Sequence, residues 1–148
     1  NKEETNRVLK DGWLHTGDIG IFENGYLKIT DRKKDILITP GGDNISPVKI
    51  ENELLNSKLI DQSIVYGDNK PYLVALLVLS DENTNVTNDQ IEKEIENINK
   101  NLSRIENIKK FFIINEKFSI ENGMLTPTLK LKRYKIVQKY KNEFEKLY

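Results

Sequence analysis

Seven consecutive apolar residues, Leu73 to Leu79, constrain this chain more than any other feature. The run has no polar alternation, so a strand built from it must be covered on both faces. Such a strand is central in its sheet, with partners on either side. Gly67-Asp68-Asn69-Lys70-Pro71 is a dense turn signal just before it, and Ser63 to Tyr66 reads as the strand that enters that turn. Lys110 to Ile114 reads as a further strand and Ile36-Leu37-Ile38 as a brief buried one.

Helices fall between these strands. Ser46 suits an N-cap, Pro47 the first helical position, and Ile45 with Ile50 a hydrophobic staple. That helix is expected to reach about Asn56, burying Ile50, Leu54 and Leu55. Thr87 caps a second helix with Ile91, Ile95 and Ile98 at helical spacing. A last helix, 132–147, places Tyr134, Val137, Tyr140, Phe144 and Leu147 on one stripe. Nearer the start, Ile19 to Phe22 and Tyr26 to Ile29 flank Asn24-Gly25, a strong hairpin signal. The first ten residues are polar and suit a helix tail or linker. The charged cluster Asp31 to Asp35 suits a junction, Thr39 to Asn44 must be a loop, and Glu121-Asn122-Gly123 a turn. The sum is an α+β fold: a small mixed sheet flanked by helices and preceded by a β-hairpin.

Composition narrows the chemistry. Lys plus Arg and Asp plus Glu both number 23, so no general attraction to nucleic acid is expected. Cysteine is absent, which removes disulfides, thiolate metal sites and a Cys nucleophile. His15, the single histidine, has no companion at metal or triad spacing and reads as structural. The basic run after Leu129 alternates with the apolar stripe of the last helix and reads as a solvated face. Asn1 begins the chain and its one Met is internal, Met124, so a segment of a longer protein is expected.

Three segments carry a resemblance. They are Gly12-Trp13-Leu14-His15-Thr16-Gly17-Asp18; Asp31-Arg32-Lys33-Lys34-Asp35 with Gly41-Gly42-Asp43-Asn44-Ile45-Ser46-Pro47 and Ile50-Glu51; and Gly123-Met124-Leu125-Thr126-Pro127-Thr128-Leu129-Lys130-Leu131-Lys132-Arg133. In this order and spacing they resemble the C-terminal domain of AMP-forming acyl-CoA synthetases, most closely the long-chain fatty acid–CoA ligases. The resemblance implies that 1–30 end a larger N-terminal domain, 31–35 hold a hinge, and 36–148 form a mobile C-terminal domain. It implies ATP, coenzyme A and Mg2+ as cofactors, with the magnesium ligand in the N-terminal domain. It implies a fatty acid substrate and the protein's own N-terminal domain as partners, with no nucleic acid.

The resemblance assigns roles residue by residue. Asp18 and Arg32 contact the nucleotide, because a carboxylate accepts from ribose hydroxyls and a guanidinium donates to oxygen acceptors. Lys34 falls at the hinge. Gly41 and Gly42 lie along the coenzyme A path, where glycine lets backbone approach a ligand. Lys130 is the catalytic lysine, whose charge stabilises the joined carboxylate and phosphate. Glu51 reads as a first-turn residue placed for the helix dipole. The segment alone is expected to be inactive. A cytoplasmic enzyme is implied, with peripheral membrane association of the full-length protein left open. Transfer to a carrier-protein thiol, or a non-catalytic partner-binding domain of the same fold, are the alternatives.

Overall fold

The computed structural model describes residues 1–81 and 86–148. The chain divides into two compact units, Asn1–Ile36 and Leu37–Tyr148.

The first unit holds helix α1 (Lys2–Val8), the short pair β1 (Leu9–Lys10) and β2 (Trp13–Leu14), and the hairpin β3 (Asp18–Glu23) with β4 (Tyr26–Arg32). The hairpin turns as its sequence predicts: Asn24 and Gly25 take φ of 51° and 82°, the left-handed values that a two-residue turn of this twist requires. Strand pairing runs from Glu23↔Tyr26 back to Asp18↔Arg32, with a bulge between Ile19 and Gly20. Its large apolar side chains lie open: Trp13 is 76% exposed, Tyr26 80% and Phe22 81%.

The second unit starts with a small hairpin, β5 (Leu37–Ile38) and β6 (Asn44–Ile45), then α2 (Pro47–Leu55). Ser46 caps α2 by accepting the Lys49 N–H at 3.2 Å, with Pro47 in the first turn. Ile50 and Leu54 are buried, whereas Leu55 turns out to solvent. Strands β7 (Ile60–Tyr66), β8 (Leu73–Leu79) and β9 (Ile108–Ile114) form one sheet in that order. The β7–β8 pair is antiparallel and the β8–β9 pair parallel, so the sheet is mixed and β8 is its centre. A parallel pair needs a crossover, which contains α3 (Asn88–Asn99). Thr87 and Gln90 close a capping box at its start.

Alternate residues of β8 feed two cores. Leu73, Ala75 and Leu77 join Ile50 and Leu54 of α2 and Ile91, Ile95 and Ile98 of α3. Val74, Leu76 and Val78 join Ile136, Tyr140 and Phe144. The uninterrupted apolar run is thus explained: each parity of the strand has its own helical layer.

The last helix departs from expectation. It breaks into α4 (Arg133–Lys139) and α5 (Lys141–Glu145), with Tyr140 between them at φ −101°, ψ 21°. The buried stripe is Ile136, Tyr140 and Phe144, while Tyr134 is exposed. Tyr140 buries its ring and donates its hydroxyl to Glu116 at 2.8 Å. Among the described residues no helix is long and apolar enough to cross a membrane.

Candidate functional site

Two of the expected nucleotide contacts meet in the first unit. Asp18 and Arg32 are directly opposed across the β3–β4 ladder, and Arg32 Nε lies 3.1 Å from Asp18 Oδ1. The Asp18 backbone N–H donates to Thr16 Oγ1 at 3.1 Å, which orients the start of the strand. Both side chains keep accessible surface, so the pair can accept and donate outward. Lys34 sits exposed in a tight turn after β4, where the Asp35 N–H donates to the Arg32 carbonyl at 2.9 Å.

Gly41 and Gly42 occupy the tip of the β5–β6 hairpin. Gly42 has φ 88° and open space where a Cβ would stand. The Thr39 N–H donates to the Asp43 carbonyl at 3.0 Å, and the Gly42 N–H to the Thr39 carbonyl at 2.9 Å. Asp68 Oδ1 accepts the Ile38 N–H at 2.9 Å, which ties the hairpin to the turn before β8. A groove of about 860 Å³ runs beside it, lined by Gly41, Asp43, Tyr72, Arg104, Lys109 and Lys110. With Lys70, which also lines it, four cations and an aromatic ring stand against the single carboxylate of Asp43, a balance that suits a phosphate.

Lys130 ends a second tight loop, Thr126 to Lys130. Leu125 and Leu131 bridge antiparallel at its base. The Thr126 N–H donates to the Lys130 carbonyl at 2.8 Å, and the Lys130 N–H returns to Thr126 Oγ1 at 3.0 Å. Leu129 takes φ 59°, a left-handed conformation that costs a branched-chain residue about 1–2 kcal/mol. Lys130 is exposed, and its Nζ has no hydrogen-bond or ion-pair partner among the described residues.

Glu51 and Arg133 correct the sequence reading. Glu51 lies past the first turn of α2 and is buried. Its Oε1 accepts the Val65 N–H at 2.7 Å, and both its oxygens face Arg133 Nη2 at 2.6 and 2.5 Å. Arg133 Nη1 donates to the Val65 carbonyl at 3.0 Å. The pair therefore locks α2 and α4 to β7 instead of serving a helix dipole, and Arg133 leaves the solvated basic face. A Glu buried in mid-helix among apolar neighbours, with an Arg far along the chain, is the pattern of a paired internal charge, but sequence does not say which Arg.

In the second unit, then, the two loops carrying Gly41, Gly42 and Lys130 are each closed by hydrogen bonds within the loop. Asp18, Arg32 and Lys34 lie in the first unit. Among the described residues no group of three His, Cys, Asp or Glu could hold a metal ion.

Known proteins bear on this arrangement. The chain is 34% identical to the long-chain-fatty-acid–CoA ligase FadD15 of Mycobacterium tuberculosis, a match over all of this chain and 28% of that protein. It is 37% identical to long-chain-fatty-acid–CoA ligase 5 of the rat, over 99% of this chain and 25% of that protein. The chain spans about a quarter of the length of these relatives. Its fold matches the adenylation domain of a carboxylate reductase from Mycobacterium chelonae with a TM-score of 0.90 at 28% identity, over 99% of this chain and 25% of that one. A carboxylic acid reductase A domain from Segniliparus rugosus, solved with AMP and a co-purified carboxylic acid, matches at 0.87 and 27% identity, again over 99% and 25%. The family model of the AMP-binding enzyme C-terminal domain matches residues 34–148. With the mixed sheet, the glycine hairpin and the lysine loop in place, the chain belongs to the AMP-binding enzyme C-terminal domain family.

Proposed function

We propose that this chain is the C-terminal part of an ATP-dependent, AMP-forming long-chain fatty acid–CoA ligase. The identity to long-chain ligases supports that substrate class. The observation that carries the reading is Lys130: an exposed ammonium, without a partner among the described residues, on a loop closed by three hydrogen bonds. A fixed cation of this kind suits a step in which a carboxylate and a phosphate, both anionic, must be brought together. Its charge is worth most where water is excluded, as a preorganised group at the reacting centre.

The other residues take supporting roles. Asp18 and Arg32 hold the nucleotide's ribose and phosphates. Gly41 and Gly42 border the coenzyme A path, and the cations Arg104, Lys109 and Lys110 beside Gly41 favour a phosphorylated thiol carrier. Lys34 serves as the hinge. The division of the chain at Ile36 supports a joint in this neighbourhood, and the open apolar side chains of the first unit support its completing a larger domain. Mg2+, travelling with ATP, would neutralise phosphate charge, its protein ligand lying in the remainder of the parent enzyme.

Two assays test the reading. In the full-length enzyme Lys130→Ala should slow adenylation by about 100- to 1,000-fold, the cost of removing one transition-state donor. Thioester formation from supplied acyl-adenylate should be spared. Equal loss of both half-reactions would remove Lys130 from the adenylation step. The present chain, given ATP and palmitate, should release no pyrophosphate; turnover at ordinary ligase rates would show that it holds a complete site.

A further inference from the structure

The two functional loops are the same structural device. Two of the chain's four prolines follow a threonine, at Thr39-Pro40 and Thr126-Pro127. Each Thr-Pro pair opens a five-residue hairpin loop, Thr39 to Asp43 and Thr126 to Lys130. In each, the first N–H donates to the fifth carbonyl, at 3.0 and 2.8 Å. The fourth N–H donates to the first carbonyl, at 2.9 Å in both. The fifth N–H donates to the threonine Oγ1, at 3.0 Å in both. The fourth residue has positive φ in both, Gly42 at 88° and Leu129 at 59°. Proline fits the second position because its φ is preset for a turn and no N–H is needed there.

The loops differ in what they present. In the first, Thr39 Oγ1 also donates to Asp43 Oδ2 at 3.0 Å, so the fifth side chain is folded back and the tip offers glycine backbone. In the second, Thr126 Oγ1 pairs with Thr128 Oγ1 at 3.0 Å, and the fifth side chain, Lys130, is released outward. The lysine loop keeps Leu129 in the left-handed region, where glycine would sit without strain. That conformation persists only because the closing bonds over-determine it.

We infer that Thr126 and Thr39 are positioning residues for separate half-reactions: Thr126 fixes the backbone from which Lys130 serves adenylation, and Thr39 fixes the glycine tip that serves thioester formation. The inference rests on the functional reading above. The Oγ1 atoms act through the fifth residue's N–H and need not touch substrate. Valine at either position keeps the β-branched shape and removes the acceptor; serine keeps the acceptor.

The test uses the full-length enzyme, with each half-reaction measured separately and the folded fraction checked by thermal melting. Thr126→Val should lower the adenylation rate about tenfold or more, since a misplacement of about 1 Å at a reacting group can cost ~100-fold. It should leave thioester formation within about twofold, the scale on which a surface loop change is felt elsewhere. Thr39→Val should give the reverse split. Thr126→Ser and Thr39→Ser should each restore the affected rate. In the 148-residue chain, amide exchange should quicken at Lys130 in Thr126→Val and at Asp43 in Thr39→Val. A common loss in both half-reactions, no loss, or failure of serine to rescue overturns the inference. If Lys130→Ala itself leaves adenylation intact, the functional reading fails first; if that variant is dead while Thr126→Val is normal, only the positioning role fails.

Discussion

The two units spend their apolar residues differently. In Leu37–Tyr148 the seven residues of β8 divide between two helical layers, and Phe144, Ile50 and Leu76 are fully buried. In Asn1–Ile36 the hairpin strands carry apolar runs of their own, Ile19 to Phe22 and Tyr26 to Ile29, yet Phe22 and Tyr26 stay open and no described residue of this unit joins either core cluster. Local pairing and a good turn form a hairpin; they do not give it a core. A two-stranded ribbon is at best marginally stable without a packed face, so the first unit has the local order of a strand pair and the second has the packing.

The widest separation should come from removing one ring in each unit. Phe144→Ala strips a side chain that stacks on Tyr66 at 4.7 Å and meets Phe112 edge-on at 5.0 Å. A cavity of that size costs about 3–5 kcal/mol, to be read as a lowered midpoint in urea. Phe22→Ala in the same chain should move that midpoint by less than about 0.5 kcal/mol, as exposed substitutions do. In the full-length protein Phe22→Ala should become costly, if the first unit completes a larger domain there. An unchanged midpoint for Phe144→Ala would erase the contrast.

Next in size is the internal ion pair of the second unit. Glu51→Ala leaves Arg133 largely buried with only the Val65 carbonyl. Removing one partner of a buried pair costs about 3 kcal/mol or somewhat more, and unfolding should show it directly. The first unit's Asp18–Arg32 pair is far more exposed. Asp18→Ala should shift the same midpoint by less than about 1 kcal/mol. Should the two substitutions cost alike, the difference in burial would carry no energetic weight.

These expectations draw on features that were unequally legible in the sequence. The central strand, the capped helices and the Asn-Gly hairpin could be read because each obeys a local rule: continuous apolarity, a side-chain cap, a turn that needs positive φ. The break at Tyr140 could not, since neither proline nor glycine marks it and the ring's burial with its hydroxyl on Glu116 is set by tertiary packing. Glu51 was misread for a similar reason. Its partner lies 82 positions away, and sequence spacing carries no signal over that separation. Of the site, Lys130 and the glycines stand out by motif. That Thr39 and Thr126 close equivalent loops emerges only from the hydrogen bonds.

The smallest effects probe the same contrast at the level of single backbone angles. Gly25 in the first unit and Gly42 in the second have nearly equal φ, 82° and 88°, and neither has an atom within 4 Å of an added Cβ. Alanine at either site therefore meets the same local penalty of about 1 kcal/mol from positive φ alone. What differs is where that penalty is felt. Gly42→Ala strains a hairpin whose Leu37 and Ile45 belong to the packed core, so global unfolding should register the full amount. Gly25→Ala strains a hairpin with no share in that core. Its cost should appear as faster amide exchange within the β3–β4 ladder, with the urea midpoint of the second unit unmoved. If Gly25→Ala lowered that midpoint as far as Gly42→Ala does, the two units would unfold as one cooperative body, and the distinction between paired and packed structure drawn here would not survive.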